Sequence, residues 1–119
     1  MSNVSLAREF TLKLNTTARD YPRVLGSMLN ELTDVGYDTV REFTPVRTGK
    51  LRDGWQKHTR PDDDLGPREI TNSVEYGPFV EFGTRNMAPR LMAFRTIQYL
   101  GTIVDEYYRR ALLRFGFRS

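Results

Sequence analysis

The sequence has no cysteine and only one histidine and one tryptophan among its 119 residues. Without cysteine, the chain has no disulfide, no thiolate ligand for a metal ion and no cysteine nucleophile. His58 has no second histidine to join it, so the sequence offers neither a histidine metal site nor a pair of nucleophile and base. We therefore expect no enzymatic activity and no cofactor, and a small hydrolase is the function class with the least support.

Long apolar stretches are also missing. No run approaches the ~20 apolar residues that a membrane span requires, and the first residues lack the basic-then-apolar order of a secretion signal. We expect a soluble protein that is made inside a cell and has no membrane partner. Charged residues at 28% and hydrophobic residues at 39% are typical of globular proteins. This length supports one core, so we predict a single domain over residues 1–119.

The first part of the chain contains a strand pattern followed by a helix pattern. Apolar and polar residues alternate over residues 8–14, which predicts a half-buried strand with Phe10 and Leu12 on its apolar side. We assign residues 1–21 to this strand and a loop. Apolar residues then recur at helical spacing, which predicts a long amphipathic helix over about residues 22–43 with a proline at its first position.

A short basic motif follows this helix. Thr48 and Gly49 are typical of a turn, and they precede a helical turn through Leu51 that a glycine stops just before Trp55. The motif is therefore anchored by an apolar residue on each side.

The next segments predict a β-hairpin. Residues 55–60 and 68–74 are extended in pattern, and the loop between them contains three consecutive aspartates at positions 62–64. These acids lack the spacing of a calcium loop, so we interpret them as solvated rather than as a divalent cation site.

The stretch from Tyr76 to Gly83 predicts a single helical turn, which a proline opens and the glycine closes. Phe79 and Phe82 are three residues apart and share one face, so we predict that they form a buried aromatic plug with Glu81 between them. A buried carboxylate must be paired or hydrogen-bonded.

The candidate partners of this Glu81 carboxylate are Arg47, Lys50 and the N–H groups of the Thr48–Gly49 turn. We favour a structural tie between the two motifs over general acid or base chemistry, because the sequence shows no partner acid for it.

A last helix is predicted from Pro89 to about Phe115, with a glycine stop at Gly116. Gly36 and Gly101 each lie within an apolar stripe, so we predict that the two long helices cross near them. The fold class is therefore α+β, with two long amphipathic helices packed on a small antiparallel sheet.

The end of the chain, residues 108–119, is basic. Three interpretations stay open: a solvated helix end favoured by the helix dipole, a contact with an acidic neighbouring protein, or a contact with DNA phosphates. The aromatic residues there favour a protein contact over DNA. The N-terminal strand and this C-terminal end together form the candidate interface. Its residues are Phe10 and Leu12 in the strand and Arg109, Arg110, Arg114, Phe115 and Phe117 at the end of the chain.

Residues 44–52 (TPVRTGKLR) and 76–84 (YGPFVEFGT), taken together and in this order, resemble the neck or tail-completion proteins of tailed bacteriophages. The resemblance covers roughly residues 20–115. It implies a structural virion protein, made in the host cytoplasm, whose copies form a ring at the head-to-tail joint. It further implies that DNA passes through this ring and that the partners are connector, neck, tail-terminator and tube proteins.

A small basic nucleic-acid-binding protein is the alternative, because the isoelectric point is about 9.4. On that hypothesis Arg109 and Arg110 would contact phosphates, and binding would weaken steeply with salt.

Overall fold

The computed structural model describes residues 22–47 and 49–117. The predicted strand with Phe10 and Leu12, and also Thr48, lie outside these residues. Within them, the fold is α+β, with helices and a small two-stranded antiparallel sheet. The elements in chain order are α1 (Pro22–Phe43), α2 (Lys50–Asp53), β1 (Trp55–His58), β2 (Glu69–Asn72), α3 (Gly77–Phe82) and α4 (Met92–Arg114).

Helices α1 and α4, with 22 and 23 residues, pack along each other and bury apolar side chains in two clusters. Fully burying a leucine or methionine side chain contributes about 1.5–3 kcal/mol, so the two clusters account for much of the driving force for folding. The first cluster, toward the start of α1, is formed by Val24, Leu25, Met28, Leu32 and Ala111. The second cluster, toward the end of α1, is formed by Val40, Leu51, Trp55, Met92 and Ala93.

The predicted hairpin is confirmed. Strands β1 and β2 pair antiparallel, with Trp55 opposite Asn72 and His58 opposite Glu69. The hairpin packs on α1, and Trp55 is the residue that it buries in the second cluster.

The predicted crossing of the two long helices at a pair of glycines was wrong for Gly101. A Cβ at Gly36 would lie 2.9 Å from Ile70 Cδ1 and 3.1 Å from Leu100 Cδ1, so α1 does approach its neighbours closely there. Gly101 is exposed, and a Cβ on it would meet nothing within 4 Å. One residue turns a helix by about 100°, so Gly101 points away from the face that carries Leu100.

Helix α4 begins at Met92 and not at Pro89 as predicted. The residue before it, Leu91, has φ 51° and ψ 42°, a left-handed conformation that is uncommon for a residue other than glycine. The predicted glycine stop is confirmed at the other end. Gly116 has φ 86°, and the N–H of Phe117 donates to the carbonyl of Leu112 at 2.9 Å, the pattern of a Schellman stop. In the described part of the chain, no helix combines the length and apolar content that a membrane span requires.

Candidate functional site

The two motifs of the sequence meet in the fold, at an open cleft of about 290 Å³ beside the second cluster. A Cβ on Gly77 would lie 3.4 Å from Leu51 Cδ1, which shows that α3 packs directly on α2. Gly49, at the start of α2, has φ 73°, and Gly83, at the end of α3, has φ 78°. The cleft is lined by Leu51, Trp55, Ile70, Thr71, Asn72, Gly77, Pro78, Glu81, Phe82 and Met92.

Glu81 is buried, as predicted, with 6% of its surface exposed, but its partners are not the predicted ones. Its carboxylate accepts the backbone N–H of Ala93 at 2.9 Å and that of Phe94 at 3.1 Å. These N–H groups lie in the first turn of α4, where they have no partner within the helix and where the helix dipole favours a negative charge. Glu81 therefore ties α3 to α4, and among the residues that the structure describes it makes no bond to Arg47, Lys50 or Gly49.

The predicted buried aromatic plug was wrong. Phe79 and Phe82 are 57% and 61% exposed, whereas Tyr76 and Val80 of the same turn pack against the second cluster. Residues three apart and four apart both share a helix face, so the spacing alone supports either pair as the inward one. The cap formed by Glu81 selects the face that points inward, and the two phenylalanine rings consequently lie at the surface.

Thr44 is a structural residue of the first motif that the sequence analysis missed. The indole Nε1–H of Trp55 donates to Thr44 Oγ1 at 2.8 Å, and this hydroxyl donates to the carbonyl of Val40 at 2.6 Å. All three groups are buried. A buried tryptophan usually finds an acceptor, and this requirement is the signal that could have pointed to a hydroxyl near Trp55.

Asn72 was also missed, although it connects the hairpin to the short helix. Its Nδ2 donates to the carbonyl of Leu51 at 2.7 Å, and its Oδ1 accepts the N–H of Val74 at 3.0 Å. The second bond is an Asx turn, which asparagine is known to favour. Asn72 therefore holds the floor of the cleft in place.

The acidic loop between the strands packs around a buried arginine, while Asp62 and Asp63 are exposed to solvent, as predicted. Arg68 is 4% exposed and donates to Asn30 Oδ1 at 2.8 Å, to the carbonyl of Pro61 at 3.0 Å and to that of Gly66 at 2.8 Å. Burial lowers the pKa of this guanidinium, and the carboxylate of Asp64 partly offsets the effect.

The aspartates of this loop have separate partners. Asp62 accepts a hydrogen bond from Asn30, and Asp64 accepts bonds from the N–H of Gly66 and from Arg60. The Gly66 N–H, followed by Arg60, lowers the pKa of Asp64. The loop backbone also lies against α1, since a Cβ on Gly26 would overlap the carbonyl of Asp62.

Two of the C-terminal arginines pair with acidic residues of the same chain. Arg114 bonds to Glu31 and Ser27 of α1, and Arg110 pairs with Glu106 at 3.2 Å. Arg109 is exposed. Among the aromatic residues there, Phe115 packs on the first cluster and Phe117 is 43% exposed.

A family model described as "Bacteriophage HK97-gp10, putative tail-component" matches residues 8–83. The matched range is nearly two thirds of the chain, and it contains α1, the hairpin, the first motif and all but the last residue of the second. No curated protein and no solved structure matches the chain. The match confirms the resemblance to tailed-phage proteins that the two motifs indicated. The chain belongs to the HK97-gp10-like family of bacteriophage tail components.

Proposed function

We propose that this protein completes the neck or tail of a tailed bacteriophage, and that its copies form a ring at the head-to-tail joint through which DNA passes. On this proposal it is a structural virion protein that is made in the host cytoplasm and has no enzymatic activity and no cofactor. The protomer is one head-tail joining domain over residues 1–119, with two amphipathic helices on a small sheet. Its partners are further copies of itself and the neighbouring connector, neck, tail-terminator and tube proteins.

The observation that carries this proposal is the exposed pair Phe79 and Phe82, on a turn that belongs to the matched family range. Aromatic side chains are enriched at the buried centres of protein interfaces and often contribute most of the binding energy there. A partner protein that covers these two rings removes their apolar surface from water, and this burial stabilises the assembly.

Hydrogen bonds to residues 90–94 hold the turn that carries these rings in place. Glu81 is bonded to Ala93 and Phe94, and the N–H groups of Arg90 and Leu91 donate to the carbonyls of Val80 and Glu81 at 2.9 and 3.1 Å. A rigid surface loses little conformational entropy when a partner binds, so this arrangement favours tight association.

The proposal is tested by measuring the mass of the full chain by light scattering over a range of concentrations, with negative-stain imaging of the same samples. We expect closed rings, either alone or after addition of purified neighbouring neck and tail proteins. The variant Phe79→Ala/Phe82→Ala should weaken assembly at least tenfold and leave the circular dichroism spectrum unchanged. Tyr99→Ala is the matched control, because Tyr99 is a 44% exposed aromatic residue on α4. A protein that stays monomeric with and without its neighbours contradicts the proposal.

Nucleic-acid binding is the alternative function, and it depends on the basic C-terminal end. Arg110 and Arg114 each have an acidic partner in the chain, which reduces the positive charge available to phosphates. Binding of duplex DNA that falls steeply with salt and is lost in Arg109→Ala/Arg110→Ala would favour this alternative.

A further inference from the structure

We propose that a basic surface, at the end of the fold where α2 and α3 meet, binds the phosphate backbone of DNA. This basic surface consists of five exposed cations, which are Arg47, Lys50, Arg85, Arg90 and Arg95. The inference rests on the proposed ring and names the part of each copy that faces the DNA.

The five cations differ from other basic residues of the chain in having no acidic partner. Five basic residues elsewhere form ion pairs, and they are Arg41, Lys57, Arg60, Arg110 and Arg114. No cation of the basic surface forms an ion pair within residues 22–47 and 49–117. Their positive charge is therefore available to an anion outside the chain.

Acidic residues are also missing from the two segments that supply these cations. Residues 43–52 and 82–104 contain no aspartate and no glutamate. Asp53, which follows the first segment, pairs with Arg41 at 3.8 Å. Glu81, which precedes the second segment, is buried and accepts two backbone N–H groups.

This absence of acids favours DNA over an acidic protein as the ligand. DNA carries about one negative charge per 1.7 Å of helix axis, and it repels any carboxylate within a Debye length of about 8 Å at physiological ionic strength. A protein partner requires acids opposite particular arginines, but it does not exclude acids from whole segments of the facing surface. The pattern of the two segments is the one that a continuous polyanion selects.

The fold brings the two segments together. Leu51 of the first segment and Met92 of the second line the same cleft. The segments also touch directly, because the guanidinium carbon of Arg95 lies 4.0 Å from the centre of the Phe43 ring. A guanidinium stacked in this way keeps its in-plane N–H donors free, and these donors match the geometry of a phosphate.

The loop after α3 presents the next two arginines to solvent. All seven residues from Thr84 to Arg90 are exposed. Two hydrogen bonds of 2.8 and 3.2 Å between the main chains of Thr84 and Met87 close a tight turn that has Arg85 at its tip. A closed turn loses little conformational entropy when it binds a ligand.

Salt-dependent binding of DNA to the full chain tests the basic surface. The probe is a labelled duplex of about 30 base pairs, followed by fluorescence anisotropy between about 50 and 200 mM salt. Each phosphate contact contributes about 0.9 to the slope of log Kd against log salt concentration. Arg85→Gln/Arg90→Gln should therefore raise the Kd at least tenfold at the lowest salt and lower this slope by about 2.

Two further double variants complete the measurement. Arg47→Gln/Lys50→Gln, on the other segment, should weaken binding to the same extent as Arg85→Gln/Arg90→Gln. Arg109→Gln/Arg110→Gln removes the same formal charge near the end of α4 and should change the Kd by less than threefold. Light scattering and circular dichroism should be the same for all three variants and the unsubstituted chain, which separates DNA binding from assembly and folding.

Other results overturn the inference. Duplex binding that is lost in Arg109→Gln/Arg110→Gln and kept in the two variants of the basic surface favours the alternative function instead. Duplex binding that is kept in Arg85→Gln/Arg90→Gln while assembly with the neighbouring proteins is lost shows that these arginines contact protein.

The measurement also distinguishes this inference from the proposed function. Closed rings that bind no duplex overturn the inference and leave the proposed ring intact. A chain that stays monomeric with and without its neighbours contradicts the proposed ring, whereas loss of its duplex binding in both variants of the basic surface still supports the surface.

Discussion

Glu81 Oε1 accepts the N–H of Ala93 at 2.9 Å, so a side chain of α3 caps the first turn of α4. The neighbouring oxygen of Glu81 accepts the next N–H, from Phe94, at 3.1 Å. Because the cap residue of α4 itself, Leu91, provides no side-chain oxygen, the helix takes its cap from a distant part of the chain. This relationship orients α3, and the orientation exposes Phe79 and Phe82.

Replacing Glu81 with glutamine should destabilise the fold. Glutamine keeps one acceptor oxygen but loses the charge, and loss of a helix cap costs about 0.5–2 kcal/mol. We expect the melting temperature in a thermal scan to fall by several degrees. Glu75→Gln is the control, because Glu75 is exposed. If both variants melt at the same temperature, the carboxylate does not stabilise α4.

Removing the hydroxyl of Thr44 should destabilise the hydrogen-bonded pair that it forms with Trp55. In Thr44→Val the indole N–H stays buried without its acceptor, a loss of about 1–3 kcal/mol in the free energy of unfolding. The double variant Thr44→Val/Trp55→Phe also removes the donor, so its cost should be less than the sum of the two single costs. Urea unfolding of the four proteins measures the coupling, and strict additivity would mean that the bond contributes nothing.

Alanine at Gly36 and at Gly101 should have opposite effects. At Gly36 the added Cβ would lie 2.9 Å from Ile70 Cδ1, and overpacking of this kind costs about 1–3 kcal/mol. At Gly101 the new methyl group meets nothing within 4 Å, and alanine favours a helix by about 1 kcal/mol over glycine. Thermal unfolding should therefore rank the proteins Gly101→Ala, unsubstituted chain, Gly36→Ala. If Gly101→Ala is instead less stable than the unsubstituted chain, Gly101 packs against a neighbour, as the predicted crossing of the two long helices requires.

Acid should weaken the loop that surrounds Arg68. The N–H of Gly66, followed by Arg60, lowers the pKa of Asp64 in the folded protein. The contribution of Asp64 to stability is therefore complete above the unfolded pKa of about 3.9 and is lost as the pH falls through the lower folded value. Asp64→Asn should be less stable than the unsubstituted chain at pH 6, and the difference should shrink in strong acid.

The control for this prediction is Asp63→Asn, at an exposed position of the same loop. A difference between Asp64→Asn and the unsubstituted chain that stays constant from pH 6 to pH 2 would show that the ionised carboxylate plays no part.

The sequence by itself determined the elements whose signals are local. The bounds of α1, the hairpin and the stop at Gly116 follow from apolar periodicity, turn residues and glycine, which act within a few positions of the chain. The two motifs, taken together, also indicated the family, and the match over residues 8–83 confirms it.

Only the tertiary structure decided which face of α3 points inward and which partner Glu81 takes. Both Phe79 with Phe82 and Tyr76 with Val80 satisfy the spacing of a helix face, so the local pattern is degenerate. The unpaired N–H groups at the start of α4 resolve it, and they come within hydrogen-bond distance of Glu81 only after the chain has folded. Contacts between residues far apart in the chain depend on packing, which periodicity does not encode.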